Sequence, residues 1–230
     1  MALDAATLAL TAQELKTQLG DARIDKIFQP TRDEVLFSMR SRTASFRLLV
    51  SARNGSARVC VTNESYENPA TPPSFCMLLR KHLTGGRLLD VRTIPGERIV
   101  FFDFNCVNEM GDLVRNTLAA ELMGRYCNLV VVNQDGKVVD ALKRVDFEDS
   151  AVRQLLPGLA CTRPPQTQGR LDFLTAPRGT IPAWLTGCDT PVEAVLRYRS
   201  WASGPVVVLA LSSLCFGSVI AGWRKRRPPA

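Results

Sequence analysis

The period of the apolar positions changes along the chain, and each change marks an element. In TAQELKTQL, from Thr11, Leu15 and Leu19 share one helical face, Thr11 can cap the helix, Glu14 completes a T-x-x-E capping box, and Gly20 ends it. Strand-like runs follow: RIDKIFQ (23–29), EVLFSMRS (34–41), SFRLLVSA (45–52) and ARVCVTN (57–63). The turn residues of PTRD and RNGS separate several of them, which is the pattern of an antiparallel meander. Pro69, Pro72 and Pro73 then stop the sheet, because proline cannot donate to a ladder.

Pro73 suits the first position of a second helix, with Phe75, Leu78, Leu79 and Leu83 as its core positions and Gly85 at its C-terminal end. Strands resume with RLLDVRTI (87–94) and RIVFFDFNCV (98–107). After the turn NEMGD come VRNTLAAELMG (114–124) and NLVVVN (128–133), and QDG leads into KVVDALKRV (137–145) as a hairpin. Strand–helix–strand alternation, phosphate-loop glycine patterns and internal repeats are all absent. The class is α+β, a largely antiparallel sheet with a few short helices.

Near LLPGLACTRPPQTQG (155–169) the composition turns to proline and polar residues, the mark of a linker at the edge of the main domain. Beyond it, TPVEAVLRYRS opens a helix at 190–199. The apolar segment 206–223 is open to three readings: a membrane crossing with its arginines inside, a core helix, or a truncated or out-of-frame gene end.

Composition adds limits. With 230 residues, 46% of them hydrophobic, the chain can bury a real core. The net charge of +7 points to an anionic partner, yet Arg224, Lys225, Arg226 and Arg227 carry four of those charges, so a binding face must be argued from local clusters. Seven scattered cysteines with no CxxC pair and a single histidine argue against a zinc site and fit free thiols in a reducing, cytoplasmic compartment. The start MALDAATLAL lacks the basic region of an export signal.

Catalytic groups are equally sparse. A Cys–His pair would have to join Cys76 to His82, which lie six residues apart and therefore on different faces of a helix. No enzymatic centre, cofactor or metal is expected. The denser signal is basic: Arg80, Lys81 and His82 are consecutive, and Arg87, Arg92 and Arg98 follow, with Glu97 beside Arg98. Guanidinium groups grip phosphates bidentately, and glycine at 85 and 86 would let backbone approach an anion. The alternative is an ordinary solvated face.

Several stretches carry a resemblance: MALDAATLALTAQEL, GDARIDKIFQPTRDEVLFSMR, ENPATPPSFCMLLRKHLTGGRL, RIVFFDF and ELMGRYCNLVVVN. Over roughly residues 1–175 the chain resembles the NFACT N-terminal domain of the RqcH family, whose bacterial members are often labelled fibronectin-binding protein A and whose eukaryotic relatives are NEMF and Tae2. Residues 176–230 read as an atypical tail, and the chain as a truncated member that lacks the family's coiled coil and second NFACT domain. The resemblance implies a fold similar to the N-terminal domain of formamidopyrimidine-type DNA glycosylases, without their chemistry, because Ala2 replaces the N-terminal proline nucleophile.

It also implies a role in rescue of stalled ribosomes: binding of the large ribosomal subunit with its peptidyl-tRNA, recruitment of tRNA (alanyl-tRNA in bacterial relatives), and support of C-terminal alanine tailing. An Asp–Arg pair in the family contacts the tRNA anticodon arm. Glu97 and Arg98 match it, the glutamate being one methylene longer, and Tyr126 stands where many relatives have histidine. Arg80, Lys81, His82, Arg87 and Arg92 remain candidate phosphate contacts. The alternative function is a fibronectin-binding surface adhesin. A membrane is not an expected partner.

Overall fold

The computed structural model describes residues 5–164. In chain order the elements are α1 (Ala5–Leu19), β1 (Arg23–Thr31), β2 (Glu34–Arg40), β3 (Ser45–Ser51), β4 (Arg58–Val61), α2 (Ser74–Leu83), β5 (Arg87–Thr93), β6 (Ile99–Val107), β7 (Leu113–Glu121), β8 (Asn128–Val132) and β9 (Val138–Ala141), with a short 3-10 turn at Gly124–Tyr126. The expected α+β class holds. The strands form one antiparallel sheet in the order β4-β3-β2-β1-β5-β6-β7-β8-β9.

That sheet is two halves joined by a thread. β1 and β5 pair at Arg23 and Arg87 alone, whereas β6 and β7 pair along nine residues. The halves therefore splay apart and fold over one core. Phe37, Leu48 and Val50 from β2 and β3 meet Phe102, Phe104, Leu118 and Leu129 from β6 to β8, and Leu15, Leu19, Leu79 and Leu83 of the helices fill the space between. Burial of a large aliphatic side chain contributes about 1.5–3 kcal/mol, so this shared cluster is what holds the halves together. Lys143, just past β9, closes the far end by reaching Asp33 Oδ1 at 3.1 Å and donating to the Ala52 carbonyl at 3.2 Å.

α1 differs from its sequence reading. It is already helical at Ala5, so Thr11 is an interior residue whose hydroxyl donates to the Thr7 carbonyl at 2.8 Å, not a cap. The apolar stripe explains this: Leu8, Ala12, Leu15 and Leu19 recur at helical spacing and are all buried, and tertiary burial outweighs a local capping pattern. In α2, Pro73 sits at the cap position, one residue before the helix, and Cys76 takes the buried place expected of Leu78, which is only partly covered.

The 155–169 stretch is not a free linker over its described part. Val145 pairs with Leu155 and Lys137 with Ala160, and Leu155 is buried against Ala119, Val130, Val138 and Ala141 on the outer face of the sheet. Arg153 joins Glu121 there through two hydrogen bonds of 2.9 and 2.6 Å. The helix expected at 190–199 and the apolar segment 206–223 lie outside the described residues. No helix among the described residues is long and apolar enough to cross a membrane.

Candidate nucleic-acid interface

The basic residues of PATPPSFCMLLRKHLTGGRL turn out to be engaged within the protein. Arg80 donates from Nε to the Ile27 carbonyl at 2.9 Å and lies over the Phe28 ring, tying α2 to β1. Lys81 pairs with Glu109 at 3.0 Å, and Arg87 with Asp21 at 3.1 Å. His82 is half-buried in a cleft of about 380 Å³ formed with the β6–β7 hairpin and the β8–β9 turn, lined also by Asn116, Asn133 and Asp135. Burial lowers its pKa, Lys81 lowers it further, and Glu109 opposes them.

The glycines correct one expectation outright. Gly85 has φ +80°, a conformation that favours glycine, and its N–H donates to the Ile24 carbonyl; the Gly86 N–H donates to the Leu83 carbonyl. No backbone donor is left there for an anion. A Cβ at Gly86 would stand 2.6 Å from the Cys106 sulfur, so this residue is glycine in order to let the helix end approach β6 closely.

The thiols are packed groups. Cys76 is buried with its Sγ directed at the Ile27 carbonyl, 3.7 Å away, while His82 lines the cleft, so the two form no pair. Desolvation raises the pKa of Cys76 and Cys127 and pushes that of Cys106 up to about 11, which keeps all three as neutral thiols near pH 7.

A different arrangement occupies the end of the fold that Lys143 closes. The β1–β2 turn (Arg32, Asp33), the β3–β4 turn (Ala52, Arg53), the β5–β6 turn (Glu97, Arg98) and the 122–127 connection converge there. The Asp33 carbonyl accepts from the Ala52 N–H, the Arg98 carbonyl accepts from the Leu122 N–H, and Cys127 feels the charges of Lys143, Arg98 and Asp33. Arg98 is partly exposed, and among the described residues its guanidinium has no hydrogen-bond or ion-pair partner; the Glu97 carboxylate is likewise uncommitted. Arg32 and Arg53 are exposed in the adjoining turns. Tyr126 is exposed beside them.

Sequence reasoning found Glu97 and Arg98 but missed Arg32, Arg53 and Lys143. They lie 45 to 66 positions away along the chain, and each in isolation is an ordinary turn residue. The only local signal was that Arg32 and Arg53 stand in the turn sequences PTRD and RNGS.

Arg92 belongs to neither group. It lies on the outer sheet face over the Phe101 ring, with its guanidinium 4.5 Å from the centroid, and binds Asp103 at 2.7 and 3.3 Å. Arg115 and Thr117 reach the same carboxylate at 2.7 and 2.6 Å. Burial alone would raise the Asp103 pKa, but the hydrogen bonds from Arg92, Thr117 and Arg115 outweigh it and hold the carboxyl below its ordinary value.

Comparison with known proteins places this architecture. The fold matches the N-terminal domain of fibronectin-binding protein PavA from Streptococcus pneumoniae with a TM-score of 0.84 at 29% identity, over 96% of this chain and 82% of that one. It also matches the N-terminal part of the fibronectin/fibrinogen-binding protein from Streptococcus suis, with a TM-score of 0.72 at 34% identity, over 78% of this chain and 68% of that one. Residues 4–180 match the family of NFACT N-terminal and middle domains, and the chain belongs to that family. Among curated relatives, the Rqc2 homolog RqcH of Streptococcus suis is 36% identical over 168 residues, and that of Bacillus subtilis is 36% identical over 169. In both cases the match covers 73% of this chain and 30% of the relative, so the chain spans about a third of their length.

Proposed function

We propose that this chain is an RNA-binding module of ribosome-associated quality control, in which Arg98 and Glu97 contact tRNA at the turn-lined end of the sheet. The uncommitted Arg98 guanidinium carries the reading: it projects from a short turn, held by the Leu122 N–H on its own carbonyl, with Arg32, Arg53 and Lys143 in the same group of turns. An arginine whose backbone is fixed and whose guanidinium has no partner among the described residues has its donor set to offer a phosphate or a base edge. The names of the RqcH relatives, and of the yeast ribosome quality control complex subunit 2 at 30% identity over 102 residues, support the same direction. The large ribosomal subunit carrying peptidyl-tRNA is the proposed wider partner, and the module acts by binding, without a catalytic centre of its own.

Titration of the chain with tRNA over a salt series tests this. Binding should weaken steeply with salt, and Arg98→Ala should reduce affinity about tenfold, or roughly 1.4 kcal/mol, at unchanged thermal stability. Salt-independent background binding that is indifferent to Arg98→Ala would refute it. The solved relatives' names favour a second reading, attachment to fibronectin. Saturable capture on immobilised fibronectin, without any affinity for tRNA, would put that reading first.

A further inference from the structure

The outer face of β5 to β7 carries a feature that the Arg98 end does not need. Asp103 is fully buried, yet the two arginines that neutralise it, Arg92 and Arg115, keep 46% and 53% of their side chains exposed. A buried ion pair is weak evidence for stability, since apolar residues of similar volume often serve as well or better. What the carboxylate does achieve is geometry. Both of its oxygens are occupied, Oδ1 by Arg92 and Thr117 and Oδ2 by Arg92 and Arg115, so an approaching ligand meets guanidinium donors and no free acceptor. The Phe101 ring fixes the plane of the Arg92 group.

Neither arginine is exhausted. Among the described residues Arg115 spends only Nη2, leaving Nε and Nη1, and Arg92 leaves Nη1. The neighbouring acids are already answered: Asp90 by Lys16 at 2.8 Å and Asp21 by Arg87 at 3.1 Å. The pair also lies in line with the turn-lined end, because Arg98, Phe101 and Asp103 follow one another into and along β6, a span of about 17 Å at 3.3 Å per residue.

We infer that Arg92 and Arg115, set by the buried Asp103, form a second contact for the phosphodiester backbone of RNA on the β5–β7 face, reading no sequence. The inference rests on the proposed RNA-binding function. Contacts of this kind supply salt-dependent affinity and register, while sequence is read elsewhere.

The experiment measures binding of unfractionated tRNA to the full chain over a salt series for wild type, Arg115→Gln and Arg115→Lys. In parallel, the wild-type arginines are labelled with phenylglyoxal, with and without tRNA, and read by mass spectrometry. Arg115→Gln is expected to lower affinity about fivefold and to reduce the slope of log affinity against log salt by about one, with Arg115→Lys keeping the slope. Bound tRNA is expected to protect Arg92 and Arg115 from the label. If tRNA binds wild type but leaves both arginines unprotected, or if a folded Arg115→Gln keeps the wild-type slope, the inference is overturned and the Arg98 reading stands. If wild type does not bind tRNA at all, both fall. Should Arg115→Gln not fold, the labelling of wild type decides alone.

Discussion

Two basic regions lie close together in the sequence and behave in opposite ways. In the 80–87 cluster, Arg80 bonds the Ile27 carbonyl, Lys81 pairs with Glu109 and Arg87 with Asp21. About ten residues further on, Arg98 has no such partner among the described residues and sits in a group of turns that also brings Arg32 and Arg53 to the surface. The first region uses its charge for contacts within the protein. The second leaves charge available. The density of arginine and lysine in a sequence thus measures neither; pairing in the folded state decides which cations can meet an anionic partner.

This contrast predicts that changes at the buried positions of the 69–88 segment act on stability and changes at the turn-lined end act on binding. The largest effect should come from Leu79→Ala, which empties a fully buried position of α2. It should cost about 2–5 kcal/mol in urea unfolding, while the fraction still folded binds tRNA with wild-type affinity. Loss of tRNA affinity in that folded fraction would erase the distinction. Gly86→Ala should follow at about 1–3 kcal/mol, because its Cβ would collide with the Cys106 sulfur and the Leu83 carbonyl.

A pH series probes the outer-face cluster, which belongs to neither region. The Asp103 carboxyl is held below its ordinary value in the folded protein, so its contribution to stability is complete above the unfolded value of about 4 and is lost as pH falls through the folded one. The urea midpoint of wild type should therefore drop on acidification, and Asp103→Asn should flatten that drop. The smallest effect is expected from Lys81→Ala, which breaks an exposed pair. Its thermal midpoint should be indistinguishable from wild type by calorimetry, and its tRNA affinity unchanged.

The elements were legible because their signals are local and agree with one another. In IVFFDFNCV, Val100, Phe102, Phe104 and Cys106 alternate into the core at the period of a strand, and the prolines at 69, 72 and 73 separate sheet from helix. Where two local signals competed, packing decided. The Thr11 and Glu14 capping box lost to a stripe beginning at Leu8, and the apparent linker was pinned by Leu155. The site was legible only in part. Glu97 and Arg98 stood out by resemblance, whereas the Asp103, Arg92, Arg115 and Thr117 cluster needed the register of three strands to become visible.

The sequence by itself determined the α+β class, most of the strand positions and the separation of Cys76 from His82, which follow from residue type and spacing along one chain, and its resemblance indicated the family. Tertiary structure alone decided which charges are available. The folding of the two half-sheets over one core brings Lys143 to Asp33, sets the Arg32 and Arg53 turns beside Arg98, and uses the Gly85 and Gly86 N–H groups inside the protein. Electrostatic pairing depends on distance through space, and no spacing along the chain encodes it.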